Sequence, residues 1–203
     1  MPRPSDPTLE LRILNAAHRL WKHGGEQALT MRAVARAAGT NTPAVYRRFK
    51  SRREILQCLL RRIQDQIRET MARCRTIDEI GESYLEYALK HPHEYVLFYE
   101  HAHELSPRDP KARSRPIRES RPNLAFLEER LAEQLGGAAG DHTQVGLALW
   151  EAAHGTAMML IQKALPEAHQ DALRHAFAGT VRAILQASPS TFDGSVQQGV
   201  LLK

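Results

Sequence analysis

The sequence predicts an all-α protein with an N-terminal three-helix head, of the helix-turn-helix kind, on a larger helical body. Apolar residues recur three and four positions apart along most of the chain, which is the spacing of an amphipathic helix. Residues that start and stop helices stand at the ends of these stretches. No stretch shows the alternating pattern of a strand, so we expect about nine helices and no sheet.

The composition is that of an ordinary globular protein, with 25% charged and 42% hydrophobic residues among 203. No apolar stretch approaches the roughly 18 to 20 residues that a membrane span requires, and the first residues do not resemble a signal peptide. Two cysteines are too few for a disulfide framework and suit a reducing compartment. We therefore expect a cytoplasmic protein without membrane association.

Charge is distributed unevenly along the chain. Residues 1–75 carry 16 Lys and Arg against 6 Asp and Glu, whereas residues 76–203 carry 12 against 17. A basic N-terminal third on an acidic remainder indicates a head that binds a polyanion and a body with another task. A solvated basic face without nucleic acid is the alternative, and charge alone does not exclude it.

Residues that cap helices divide the head into three helices and the start of a fourth. The predicted cap and stop residues are Gly24, Thr30, Gly39, and Asn41 or Thr42. Pro43 suits the first turn of the third helix, where a missing N–H costs nothing. Ser51 and Glu54 form a capping box that opens a long fourth helix, which is expected to run to about Cys74.

The body is expected to contain five further helices and a proline-rich loop. Their predicted bounds are Ile77 to Lys90, Pro92 to Glu104, Leu124 to Leu135, Asp141 to about Ala164, and Pro166 to about Ala187. Three prolines and many charges in residues 105–121 predict a loop. These patterns divide the chain into a DNA-binding domain at 1–56, a helical effector-binding and dimerisation domain at 57–187, and a disordered tail at 188–203.

The third helix has two chemically different sides. At about 100° per residue, Val45 and Phe49 share one side and are expected to pack inward. Pro43 and Arg47 then face furthest outward, between Ala44 and Tyr46, and Arg48 lies nearer the edge of the core. Two short helices joined by a tight turn, with such a face on the second, are typical of a helix-turn-helix.

That outward face has the chemistry of a helix that enters the major groove of DNA. Arginine pairs with guanine O6 and N7, and Tyr46 together with a helix N-terminus can hold phosphates. Lys50, Arg52 and Arg53 follow at the start of the next helix, where cations oppose the helix dipole. A phosphate backbone lying against that helix start would explain them.

The segment Ile13 to Leu56 (ILNAAHRLWKHGGEQALTMRAVARAAGTNTPAVYRRFKSRREIL) resembles the N-terminal module of the TetR family of bacterial repressors. Carried over position by position, the resemblance implies DNA contacts from ten residues. They are Thr30, Arg32, Thr42, Pro43, Ala44, Tyr46, Arg47, Arg48, Lys50 and Arg52. It also implies a double-stranded DNA operator as partner.

The body resembles a TetR effector domain marked by a Trp and a His-Gly pair on its penultimate long helix. The matching strings are YLEYALKHPHEYVLFYE (84–100) and ALWEAAHGTAMMLI (148–161). In that family the body binds a small-molecule effector. We expect an unidentified effector to contact Phe98, Trp150, His154 and Met158, although a core stripe would show the same pattern.

The last two long helices carry small residues on faces with few charges. These residues are Ala148, Ala152, Gly155, Ala176, Gly179 and Ala183. A helix that is apolar on every side is buried or lies at an interface. With the family resemblance, this pattern predicts a homodimer built on these two helices; an intramolecular core is the alternative.

Two other features suggest a metal or redox sensor, but for each we favour an ordinary structural or solvated role of the side chains. Histidines cluster in the strings His91-Pro92-His93 and His101-Ala102-His103-Glu104, but no cysteine is near and Pro92 prevents a regular helical pair. Cys74 lies between two arginines that would lower the pKa of its thiol, but Cys58 is roughly 24 Å away along one helix and cannot bridge to it. We expect no metal and no cofactor.

The sequence as a whole predicts a ligand-responsive DNA-binding transcriptional regulator. Most simply it is a repressor that a small-molecule effector releases from a pseudo-palindromic operator. The alternative is a TetR-like protein without operator binding, acting as a protein–protein module or a metal or redox sensor. An enzyme is disfavoured, because we find no nucleophile with a nearby base, no paired carboxylates and no cofactor loop.

Overall fold

The computed structural model describes residues 8–106 and 115–187, and these residues contain helices and no strand. Ten α-helices are present in this part of the chain, of which nine have seven or more residues, as predicted. Their bounds are α1 Leu9–Ala28, α2 Met31–Ala37, α3 Thr42–Arg48, α4 Arg52–Met71, α5 Ile77–Lys90, α6 Pro92–His101, α7 Ile117–Ser120, α8 Pro122–Leu135, α9 Thr143–Ile161 and α10 Gln170–Gln186. Within the described ranges, no helix combines the length and apolar character that crossing a bilayer demands.

The contacts between Cα atoms divide the protein into two compact units. The first unit contains α1 to α3, α4 as far as Gln66, and α6 with the short 3₁₀ helix Ala102–Leu105 that follows it. The second unit contains the chain from Ile67 to Lys90, which includes α5, together with α7 to α10.

The core of the first unit is formed by the apolar sides of α1, α2, α3 and α4. Its fully buried side chains include Ile13, Trp21, Leu29, Val34, Val45, Ile55 and Leu60. Each fully buried aliphatic side chain contributes about 1.5–3 kcal/mol relative to an exposed one. This shared core holds the short helices α2 and α3, which would not be stable in isolation at seven residues each.

Polar contacts attach α6 and the 3₁₀ helix to the rest of the first unit. The carboxylate of Glu94, only 7% exposed, accepts a hydrogen bond from Lys22 Nζ at 3.0 Å and lies 3.5 Å from His18 Nε2. Glu104 pairs with Arg53, and its backbone carbonyl accepts a 2.9 Å hydrogen bond from Gln57 Nε2. The helix α6 is therefore tied to α1, and the 3₁₀ helix that follows it is tied to α4.

The second unit packs α5, α8 and α10 against α9. Gly81 on α5 lets the ring of Phe177 approach, since a Cβ there would lie 3.0 Å from the ring. The buried carboxylate of Glu128 on α8 lies 2.9 Å from Arg118 Nε and accepts a 2.7 Å hydrogen bond from Thr143 Oγ1. These contacts neutralise a charge that would otherwise be costly to bury.

The structure shifts several of the predicted helix boundaries by a few residues. The break in α1 lies at Gly25, whose φ of 61° is left-handed, one residue after the predicted stop at Gly24. Part of the predicted loop 105–121 is the one-turn helix α7. The predicted tail at 188–203 lies outside the described residues, as do residues 107–114 of that loop.

Candidate nucleic-acid interface

The geometry of α2 and α3 depends on a tight turn between them. Gly39 has a φ of 65°, which an L side chain rarely adopts, and so the chain can reverse at this residue. The N–H of Thr40 donates to the carbonyl of Ala35 at 3.0 Å, which closes the end of α2. The two helices are thereby held in the helix-turn-helix arrangement.

Side chains cap both short helices at their N-termini. Thr30 Oγ1 accepts from the N–H of Ala33 at 3.1 Å, and Asn41 Oδ1 accepts from the N–H of Ala44 at 2.9 Å. Asn41 rather than Thr42 is therefore the cap of α3. Each bond satisfies one of the backbone donors that a helix start leaves unpaired.

The two sides of α3 have the predicted character. Val45 is fully buried and Phe49 is 3% exposed, which confirms their inward packing. Pro43, Tyr46 and Arg47 are exposed, and the exposed fraction of Tyr46 is 51%. An apolar anchor therefore holds a helix whose outer face offers an aromatic hydroxyl and a guanidinium.

Most of the other predicted contact residues surround that face. Thr30, Arg32, Lys50 and Arg52 are exposed, while Thr42 and Arg48 are half-buried. Residues 30–53 contain seven Lys and Arg and no Asp or Glu. Five of the seven are exposed (Arg32, Arg36, Arg47, Lys50 and Arg52), and Arg48 and Arg53 are half-buried. This cationic surface, which we call the basic face, can neutralise several phosphates of a nucleic-acid backbone.

Ala44 departs from the predicted outward orientation. It is 4% exposed, although its Cβ points about 100° around α3 from that of the buried Val45. Its N–H is already used by the cap at Asn41. The side chain of Ala44 does not belong to the basic face, and α3 presents a narrower outer surface than the sequence suggested.

The start of α4 brings further cations to the basic face. Ser51 Oγ accepts from the N–H of Glu54 at 3.2 Å, as the predicted capping box requires. The reciprocal bond goes one residue further back, from the N–H of Lys50 to Glu54 Oε2 at 2.6 Å. This cap fixes the chain that carries Lys50 and Arg52, and both residues remain exposed.

Three acidic residues that the sequence analysis missed contact the cations of the first unit. Glu26 pairs with Arg52, Glu104 with Arg53, and Glu94 with Lys22. The paired residues are 26, 51 and 72 positions apart, so no local spacing could reveal them. They determine which cations of the head are already engaged before any ligand binds.

The residues predicted for an effector site lie in both units. Phe98 is on α6 in the first unit and is 6% exposed. Trp150, His154 and Met158 follow one another at four-residue spacing on α9, and each is half-buried. Burial lowers the pKa of His154 below its usual value, which favours the neutral imidazole.

Of the six small residues predicted for a dimer interface in the second unit, three are exposed and three are half-buried. Gly155, Ala176 and Ala183 are exposed. No described atom outside the local backbone comes within 4 Å of a Cβ placed on Gly155 or Gly179. Met159, on the same side of α9 as Gly155, is 40% exposed, so this apolar surface is open in the single chain.

The sensing alternatives find little geometric support in the described residues. Across 8–106 and 115–187, no three His, Cys, Asp or Glu side chains gather as a metal ion would require. Cys58 and Cys74 are both free thiols, and burial raises the pKa of Cys58. A raised pKa lowers the thiolate fraction on which redox reactivity depends.

Two family models match the chain. The model for bacterial regulatory proteins of the tetR family matches residues 13–59, and the model for the tetracyclin repressor-like C-terminal domain matches residues 77–184. No curated protein matches the sequence.

Solved structures share the fold at low sequence identity. A protein of unknown function from Rhodococcus sp. RHA1 is 18% identical with a TM-score of 0.66, over 92% of this chain and 100% of that one. A TetR-like transcriptional regulator from the same organism is 18% identical with a TM-score of 0.59, over 91% and 100%. The fatty acid degradation regulator FadR from Bacillus halodurans is 17% identical with a TM-score of 0.55, over 92% and 98%.

The first family match covers the helices that form the basic face. The second covers 77–184, more than half of the 203 residues. Together with the exposed face of α3, these matches confirm the resemblance found in the sequence. The chain belongs to the TetR family of bacterial regulatory proteins.

Proposed function

We propose that this protein is a dimeric, ligand-responsive transcriptional repressor that binds a pseudo-palindromic operator in the cytoplasm. One observation carries the proposal: Val45 and Phe49 are buried while Pro43, Tyr46 and Arg47 are exposed on the opposite side of α3. Such a helix can enter the major groove, with Arg47 reading a base edge and its neighbours touching the backbone.

Most of the binding free energy should come from phosphate neutralisation by the basic face. Arg32, Lys50 and Arg52 are exposed cations around α3, and Tyr46 adds a hydroxyl that can donate to a phosphate oxygen. Sequence preference should come from Arg47, Arg48, Pro43 and Thr42. Affinity should therefore fall steeply with salt, while selectivity depends on α3.

The open apolar surface around Gly155 and Ala176 supports a homodimer. Two subunits would place their α3 helices one turn of DNA apart, or a multiple of it. The half-buried row of Trp150, His154 and Met158 supports a small, largely apolar effector. We expect the effector to favour a conformer that binds DNA poorly, and decisive release requires a differential affinity of about 5 kcal/mol.

In vitro selection from a random duplex pool, followed by gel-shift titration across a salt series, tests the DNA-binding part. We expect an enriched inverted repeat and a linear fall of log affinity with log salt. An unenriched pool, or an affinity that stays flat with salt, would contradict it. Metabolites related to the genes beside the selected site are then screened for release.

A TetR-like protein that has lost operator binding would give no enriched sequence in the same selection. The retained Tyr46, Arg47 and Lys50 on the basic face argue against that loss. We also propose that the protein has no catalytic activity of its own. The purified protein should turn over no substrate in an activity screen, and activity lost on His154→Ala would contradict this.

A further inference from the structure

Arg52 is held by an acidic residue of its own chain. Its Nη2 pairs with Glu26 Oε1, and its Nη1 donates to the backbone carbonyl of Glu26 at 3.3 Å. Both terminal nitrogens of the guanidinium are therefore directed at one residue. These are the same donors that Arg52 would offer to a DNA phosphate.

Two features place the Glu26 carboxylate beside Arg52. The left-handed φ of 61° at Gly25 breaks the helical path of α1 immediately before Glu26. From the other side, Glu26 Oε2 lies 3.9 Å from Nδ1 of His101, the last residue of α6. The ring of His101 in turn lies 6.1 Å from the ring of Trp21 in the core. The carboxylate is positioned by the fold of the first unit.

The pair is accessible to a competing anion. The side chain of Arg52 is 47% exposed and that of Glu26 is 39% exposed. An ion pair at this exposure is weak, and a phosphate with its own negative charge can displace the carboxylate.

We propose that Glu26 lowers DNA affinity by occupying Arg52. In the free protein it neutralises one cation of the basic face, and on DNA it must yield Arg52 to a phosphate. Glu26 thus lowers operator affinity, although it lies on α1, outside the helix-turn-helix of α2 and α3. This inference rests on the proposed DNA binding and concerns the strength of that binding.

The test compares wild-type protein with Glu26→Gln, Arg52→Ala and the double variant. The probe is a mixed-sequence duplex of about three helical turns, roughly 30 base pairs, followed by fluorescence anisotropy over a salt series. Glu26→Gln should bind about two- to fivefold tighter, the factor that an exposed ion pair contributes. Its log–log salt slope should steepen by up to about 0.9, the slope per neutralised phosphate, because no carboxylate is set free to take up a cation when Arg52 binds DNA.

The double variant shows whether the effect acts through Arg52. Arg52→Ala should weaken binding more in the Glu26→Gln background than in the wild type, and the gain from Glu26→Gln should disappear without Arg52. Glu10→Gln removes the same charge from an exposed position in the first turn of α1 and is the matched control. It should leave the salt slope unchanged.

The outcomes separate this inference from the proposed function. If Glu26→Gln binds no tighter, or if its gain persists in the absence of Arg52, the inference is wrong while DNA binding stands. If Glu10→Gln gives the same gain, the effect is one of net charge and the inference is equally wrong. If wild-type protein fails to bind any duplex at low salt, the proposed function itself fails.

Discussion

At the scale of single residues, Glu94 shows how a buried charge is stabilised by its partners. Hydrogen bonds to His18 and Lys22 lower the pKa of Glu94 to about 2, from a usual value of 4.5. Burial acts in the opposite direction and would raise this pKa. A carboxyl whose pKa is lower in the folded than in the unfolded state stabilises the fold above the unfolded value. That stabilisation is lost as pH falls from about 4.5 towards 2.

Glu94→Gln should therefore reduce the free energy of unfolding at neutral pH by about 1–3 kcal/mol, because Lys22 and His18 lose a charged acceptor. The difference between wild type and variant should narrow as pH falls below about 4.5. Urea unfolding at a series of pH values measures this difference in the free energy of unfolding. Glu100→Gln on the same helix, at an exposed position, is the control. A difference that stays constant down to acidic pH would contradict the assignment.

Single residues also show what local sequence can and cannot predict. The burial of Val45 and Phe49 follows from helical spacing within one short helix, so it was predictable. The partners of Glu94 and Glu26 come from distant parts of the chain, and their pairing depends on tertiary packing. Ala44 was misplaced because helical spacing puts it between the two sides of α3, where tertiary packing decides whether a side chain is buried.

At the scale of elements, capping explains why helices of seven residues form where they do. Thr30 and Asn41 each supply a side-chain oxygen to the N–H three residues later, and Gly39 supplies the left-handed turn between them. Residue types that favour caps and turns mark these positions, and their predicted roles were confirmed. Of the two predicted candidates for the cap of α3, the structure shows Asn41 and not Thr42. The one-turn helix α7 has no such signal, and the sequence analysis missed it.

Removing the cap of α3 should weaken both stability and DNA binding. Asn41→Ala is expected to reduce the free energy of unfolding by about 1 kcal/mol, whereas Asn41→Asp should retain most of it, since Asp is an equally good cap. Urea unfolding and duplex binding measure the two effects. Equal stability of Asn41→Ala and wild type would show that the bond to Ala44 contributes nothing.

At the scale of the whole molecule, the apolar surface on α9 and α10 predicts self-association. Gly155→Arg places a charge where a Cβ meets no described atom, so the single chain should fold normally. In a two-fold interface the charge would be buried twice, at a cost on the order of 2–5 kcal/mol each. Sedimentation should show a wild-type dimer and a monomeric variant.

Gln134→Arg, at an exposed position on α8, is the control and should remain dimeric. A wild-type monomer would contradict the predicted dimer, and a Gly155→Arg protein that still sediments as a dimer would place the interface elsewhere. The sequence could suggest this surface from its small residues alone. It could not distinguish an interface from an internal core, because both bury the same residue types.

The most direct test of the central claim, that α3 reads DNA through its exposed face, is the base preference of Arg47→Ala. Affinities for the selected operator and its single-base variants should show about 1–3 kcal/mol of lost discrimination at one position in each half-site. Affinity for mixed-sequence duplex should change little. Lys50→Ala should instead weaken binding to all duplexes alike. If Arg47→Ala leaves the base preferences intact and weakens every duplex by one common factor, then α3 does not read the operator through Arg47.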